Sequence, residues 1–407
     1  MIDRRHLLLA GTAAFVPGLA LAQPVKRPPA KPARPAAKKP GEAVPGGTPA
    51  DTPIGPIDTA AKFAVIIDFA TGATLLDKEA DVSMTPSSMT KLMTAYIVYG
   101  LLKEGRLKLT QELPVSERAW RMGGSKMFVP LGGQVKVEDL IRGMIVQSGN
   151  DACVVLAEGI AGSVEQFVEL MNVKAKQLGL DKSVFRNPTG WPDPDHRMSA
   201  RDIATLARRL IADFPEYYKY DAEKSFKYNN IDQQNRNGMV QKGLADGLKT
   251  GHTDEAGYGM VVSSERGGRR VVLVVNGCNS MHQRTEEAER LMDWAFREFE
   301  DVTLFTAGDT VELAKVWLGD RVTVPLVGGR DLVMTLPRGW KTKAKIVVSY
   351  ASPIAAPISR GTQLATLTVS GAGVPDVSLP LLAGADVARL GLPGRSMAVL
   401  TRMVTGS

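Results

Sequence analysis

The sequence predicts an α/β (α+β) domain, a mixed sheet flanked by helices, followed by a small all-β domain. Three observations predict it. Strand-like runs near Lys62–Leu76 and Asp246–Val275 bracket a long block of helical periodicity, so one sheet is drawn from both ends of the segment. The helical block is apolar enough to pack on that sheet. Past Asp301 short alternating runs broken by Gly and Pro replace both patterns.

From the N-terminus, Asp3-Arg4-Arg5-His6 is a basic start, and Leu7 to Leu21 is apolar but broken by Gly11, Pro17 and Gly18. Ala20-Leu21-Ala22 is a small-x-small cleavage pattern, so residues 1–22 read as an export signal. The run is too short to cross a bilayer, which takes about 20 residues. Arg4-Arg5 before His6-Leu7-Leu8 also resembles a twin-arginine signal. Residues 23–58 follow as a Pro-, Lys- and Ala-rich linker with no aromatic residue, unable to bury a core.

The segment 59–300 reads as the main domain. Lys62–Asp68 is a strand, and a turn at Thr71-Gly72 returns it through Ala73–Leu76 as a hairpin. The helix that begins near Ser88 carries Leu92, Met93, Ala95, Tyr96, Val98 and Leu101, apolar nearly all round, and is therefore internal. Helical patterns follow at 137–147, 151–161, 163–178 and 199–212. Ser163 with Gln166 and Ser199 with Asp202 mark two N-termini. Strands are expected over Leu248–Thr253, Tyr258–Ser264 and, after the Gly267-Gly268 turn, Arg270–Val275. A helix over about 285–300 closes the unit. Residues 301–385 form the β-rich domain. In the tail, 386–407, Met397, Leu400, Met403 and Val404 recur at helical spacing with Arg395 and Arg402 between them, the pattern either of a short membrane-associating helix or of a frayed tail.

Charge excludes one class of partner. The formal charge is +7, but residues 1–50 hold eight Lys or Arg against Asp3 and Glu42, which leaves the rest at +1. A near-neutral folded part has no broad phosphate-binding face, so no nucleic-acid partner is expected. Four histidines without paired-ligand spacing imply no metal, and no cofactor motif is present. Cys153, in Ala152-Cys153-Val154-Val155-Leu156, reads as a small buried hydrophobe.

Chemistry concentrates in three short motifs. Ser88 and Lys91 are three apart, so a helix puts them on one face. Burial in an apolar helix drives Lys91 toward its neutral form, which can accept the Ser88 proton and activate a nucleophile. A Ser-x-x-Lys arises by chance about once or twice in a chain this long. Ser148-Gly149-Asn150 falls between two predicted helices, and Lys249-Thr250-Gly251 falls on a predicted strand. Each occurs in order, in the element its chemistry needs.

With these motifs the chain resembles the low-molecular-mass penicillin-binding proteins that act as serine-type D-Ala-D-Ala carboxypeptidases. The resemblance runs from about Ala61 to the C-terminus. It includes Pro86–Thr94, Ser148–Cys153, Asn235-Arg236-Asn237, Asp246–Thr253 and Ala256-Gly257-Tyr258. It implies the penicillin-recognising, β-lactamase-like fold and a substrate of peptidoglycan stem peptides ending in D-Ala-D-Ala. β-Lactams are the implied inhibitors. The implied place is outside the cytoplasm, in the periplasm or at the outer face of the inner membrane.

The resemblance also implies roles. Ser88 is the nucleophile, Lys91 the general base and Ser148 a proton relay. Asn150 bonds the substrate amide. Lys249, Thr250 and Arg284 meet the terminal carboxylate on a strand that Gly251 and His252 continue, and the N–H groups of Ser88 and His252 form the oxyanion hole. Substrate lies along this strand as an added one. Arg284 has a plain alternative, pairing with Glu286 or Glu287, and His196 reads as polar loop. The rivals are a DD-endopeptidase or β-lactamase on the same scaffold, and a cell-wall-binding scaffold without turnover.

Overall fold

A computed structural model describes residues 46–371 and 375–405. The export signal (1–22), the linker up to residue 45 and the last two tail residues lie outside the described residues. The linker expectation needs correcting at its end. Thr48–Ala50 and Ile57–Thr59 pair antiparallel, and Ala50 and Ile57 are buried against Ala64 and Leu75. Two apolar residues on facing strands were enough to seat a segment that carries Pro49 within its first strand and Pro53 and Pro56 in the connecting turn.

The sheet comprises β1 (Phe63–Asp68), β2 (Thr74–Lys78), β3 (Gly247–Thr253), β4 (Gly257–Arg266) and β5 (Arg269–Cys278). Their spatial order is β2-β1-β5-β4-β3. The sheet is thus mixed in origin, but every neighbouring pair is antiparallel. Hairpins join three of the four pairs, and the long-range pair β5–β1 also runs antiparallel. β3 lies at the edge.

Alternation along β1 sends Val65 and Ile67 to one face and Ala64 and Ile66 to the other. The first face carries the helical block: α1 (Lys91–Lys103), α2 (Val137–Ile145), α3 (Asn150–Ala161), α4 (Val164–Gln177) and α5 (Ala200–Asp213). The second is covered by α6 (Met281–Glu298) through Ala288, Leu291, Met292 and Ala295. Ser163 and Ser199 cap α4 and α5, accepting from the N–H groups of Gln166 and Asp202. α6 begins earlier than the sequence pattern placed it, because Ser280 caps it by accepting from Gln283 N. It gives way to a strand at Phe299.

Beyond α6 a six-stranded sheet and the strand pair 299–305/332–337 enclose a core that includes Val324, Leu326, Leu336, Leu367 and Leu381. Arg269 ties this body to the main sheet. Its Nε lies 3.0 Å from Asp68 Oδ2 and 3.2 Å from Asp301 Oδ1. A last helix, Leu392–Thr405, exposes Leu392, Met397, Leu400 and Met403.

Candidate active site

Ser88 does not lie in the first turn of α1 as expected. It belongs to a 3-10 turn, Ser87–Thr90, and α1 starts at Lys91. Pro86 precedes that turn, and Ser87 takes a left-handed φ of 51°. The three-residue spacing still brings the side chains together. Lys91 is fully buried, and its three donors are all used: on Ser88 Oγ at 2.9 Å, Asn150 Oδ1 at 2.8 Å and the Thr189 carbonyl at 2.6 Å. Burial pushes this ammonium down to about 8, although neighbouring Cys153 and Asp151 resist the shift.

Ser148 and Asn150 flank the junction into α3. Ser148 is buried with a left-handed φ of 65°, a conformation that costs a residue with a Cβ on the order of 1 kcal/mol. Asn150 bridges two sides of the cleft, receiving from Lys91 and donating through Nδ2 to the Gly123 carbonyl at 2.9 Å. Asp151 behind it accepts from the N–H groups of Met127, Phe128 and Val129 and fixes that wall. Cys153 is buried as expected, with Sγ 3.2 Å from the Gly149 carbonyl and a thiol pushed up to about 11 by burial.

Edge strand β3 closes the other side. A Cβ on Gly251 would stand 3.1 Å from the Pro86 carbonyl oxygen and 3.3 Å from Ser88 N, so glycine lets the strand approach the Ser88 turn. Lys249 and Thr250 are buried, whereas His252 is exposed and stacked on Tyr258, with ring centroids 3.9 Å apart. Arg284 is buried too, and donates to the carbonyls of Gly259 and Arg236, each at 3.4 Å. Its alternative ion pairs do not form: Glu286 meets His282 and Glu287 meets Arg290. Burial lowers the pKa of all four cations, Lys91, Lys249, Arg236 and Arg284. A concentration of desolvated positive charge suits an anion.

The residues missed from sequence lie in one loop. Asn187 Oδ1 accepts from the N–H groups of Thr189, Gly190 and Trp191, which folds the loop so that the Thr189 carbonyl meets Lys91. Gly190 has φ 79°, and a Cβ there would lie 1.7 Å from the Ser87 carbonyl oxygen. The Asn-Pro and Thr-Gly pairs signalled a turn, but not its neighbour. His196, expected as polar loop, is buried. Its Nε2 lies 2.8 Å from Thr90 Oγ1, and its Nδ1 accepts from Arg186 N. Nδ1 therefore lacks the proton and Nε2 carries it, and burial pushes the ring down to about 4. It is a strut between the loop and the Ser88 turn. Among the described residues, no cluster of His, Cys, Asp or Glu is arranged to hold a metal.

The family described as D-alanyl-D-alanine carboxypeptidase matches residues 49–280, and that described as the C-terminal domain of penicillin-binding protein 5 matches 299–389. The chain is similar to D-alanyl-D-alanine carboxypeptidase DacC of Escherichia coli, 38% identical over 344 residues, covering 82% of this chain and 86% of that relative. It is 37% identical over 358 residues to D-alanyl-D-alanine carboxypeptidase DacA of Haemophilus influenzae, covering 86% and 91%. Its structure is similar to that of penicillin-binding protein 5 from Haemophilus influenzae, with a TM-score of 0.74 at 37% identity over 81% of this chain and 98% of that one.

Proposed function

This chain belongs to the D-alanyl-D-alanine carboxypeptidase family, and we propose that it removes the terminal D-alanine from peptidoglycan stem peptides through an acyl-enzyme on Ser88. The observation that carries this reading is the contact of a buried, easily neutralised Lys91 with Ser88 Oγ at 2.9 Å. Neutral Lys91 takes the hydroxyl proton as Oγ attacks the carbonyl between the two D-alanines. The N–H groups of Ser88 and His252 receive the oxyanion. Ser148 passes a proton to the leaving amine, D-alanine departs, and water hydrolyses the ester. Asn150 holds the substrate amide. Lys249, Thr250 and Arg284 receive the terminal carboxylate, and Gly251 lets the peptide lie along the edge of β3. β-Lactams acylate the same serine.

The protein acts outside the cytoplasm in this reading, delivered by the signal at 1–22. The apolar side chains of the last helix, Leu392, Met397, Leu400 and Met403, rest on the outer face of the inner membrane. Among the described residues no helix is long and apolar enough to cross it.

The test is release of D-alanine from a peptide ending in D-Ala-D-Ala, run beside Ser88→Ala. Wild type releases it and the variant does not. Release by both removes Ser88 from the mechanism. Capture of labelled penicillin without any release points to a non-catalytic scaffold.

A further inference from the structure

Lys249 poses a problem that the three motifs do not solve. It is fully buried, its Nζ makes one long hydrogen bond of 3.4 Å to the Thr250 carbonyl, and no carboxylate among the described residues forms an ion pair with it. Burial pushes its pKa well down, Lys91, Arg236 and Arg284 push it further, and Cys153 opposes them. That setting favours the neutral amine, yet a carboxylate ligand needs it charged.

Successive side chains of a strand point to opposite faces, so Lys249 shares a face with Gly247 and Gly251. A Cβ on Gly251 would face Ser88 N, and one on Gly247 would lie 2.6 Å from the Tyr218 hydroxyl. Lys249 therefore points into the seam between the Ser88 turn and the chain after Tyr218. There a 3-10 turn, Lys219–Ala222, carries Asp221. Asp221 is fully buried. Its Oδ2 accepts from the Tyr99 hydroxyl at 3.4 Å, and its Oδ1 has no hydrogen-bond partner among the described residues. Tyr99 comes from α1, the helix that begins with Lys91.

The other carboxylates near this seam are committed. Asp246 lies 2.6 Å from Arg270 Nη1 and 2.8 Å from the Tyr218 hydroxyl. Glu223 meets Arg142 at 3.0 Å, and Glu138 accepts from the Tyr220 hydroxyl at 3.0 Å. Of these carboxylates, Asp221 has one oxygen, Oδ1, without a hydrogen-bond partner among the described residues. Burial pushes its carboxyl up to about 7, Asp246 adds to that, and the Tyr99 hydrogen bond and the charge of Lys249 oppose it.

We propose that Asp221 is a positioning residue for the ligand's carboxylate: it faces the seam that Lys249 enters and holds that lysine protonated from below the cleft. The two groups titrate as a pair. Removing the negative member makes Lys249 lose its proton at lower pH. The inference rests on the assignment of Lys249 to carboxylate recognition.

The experiment measures the rate constant for acylation by benzylpenicillin and by its methyl ester from pH 5.5 to 9.5, in wild type, Asp221→Asn and Asp221→Glu. With benzylpenicillin the alkaline limb of Asp221→Asn shifts down by about one pH unit or more, through weaker binding at an unchanged limiting acylation rate. The two proteins converge near pH 5.5, and Asp221→Glu retains the wild-type limb. The ester shows no such shift. An unchanged limb in a normally folded Asp221→Asn overturns the proposal, as does a loss equal at every pH. A wild type that does not distinguish acid from ester overturns the Lys249 assignment instead. Should Asp221→Asn fail to fold, Tyr99→Phe replaces it. That variant withdraws one hydrogen bond from the carboxylate and moves the limb in the same direction by less, and no movement overturns the proposal.

Discussion

Lys91 Nζ and Ser88 Oγ stand 2.9 Å apart across the boundary between a 3-10 turn and a helix, with the lysine fully buried and the serine facing the cleft. Burial holds the ammonium near 8 instead of its usual 10.5. The neutral, proton-accepting form therefore grows as pH rises through 8. Acylation of Ser88 by a β-lactam methyl ester, which leaves the charge of Lys249 out of the measurement, should show an acid limb centred there. A limb centred below 6 assigns the proton acceptor elsewhere.

Lys91→Met removes the acceptor and retains the apolar bulk. General-base catalysis contributes about 10²- to 10⁴-fold, and the acylation rate should fall by that factor.

Gly190→Ala should be costly for its size. The added methyl would have to occupy the Ser87 carbonyl, at a φ of 79° that residues with a Cβ resist. The loop must move, taking the Thr189 carbonyl off Lys91. Expected results are a lower melting temperature and slower acylation together. An unchanged protein would show that the loop does not rest on the Ser88 turn.

His196 gives a stability prediction with a definite sign. Its folded value, about 4, lies below the usual 6.5. The unfolded chain takes up the proton first, so stability is full above pH 6.5 and falls as pH drops from 6.5 towards 4. A shift of this size corresponds to roughly 3 kcal/mol. Urea denaturation at pH 7.5 and pH 4.5 measures the loss, and His196→Gln should flatten the difference while lowering stability at pH 7.5.

Arg269 joins the two bodies, and Asp68 is fully buried beside it. Arg269→Met leaves that carboxylate uncompensated, which typically costs about 3–5 kcal/mol. The main domain should melt earlier. Asp68→Asn added to Arg269→Met should recover part of the loss, and an absence of recovery would place the effect elsewhere.

Much of this protein was legible as a string because its chemistry uses short-range geometry. A three-residue spacing puts Ser88 and Lys91 on one side of a turn whatever surrounds it. Strand alternation marked the sheet strands, and Ser163 and Ser199 marked the starts of α4 and α5, for the same local reason. What the string does not carry is proximity between distant segments. The Asn187–Trp191 loop reaches Lys91 only because Asn187 folds it and Gly190 leaves room against Ser87. His196 turned from a loop polar residue into a buried strut because Thr90 stood opposite. The burial of Lys249 on an edge strand and of Asp221 on the turn 219–222 followed from packing between distant segments. Local spacing brought Ser88 and Lys91 into contact; long-range burial lowered the lysine's pKa, which no spacing encodes.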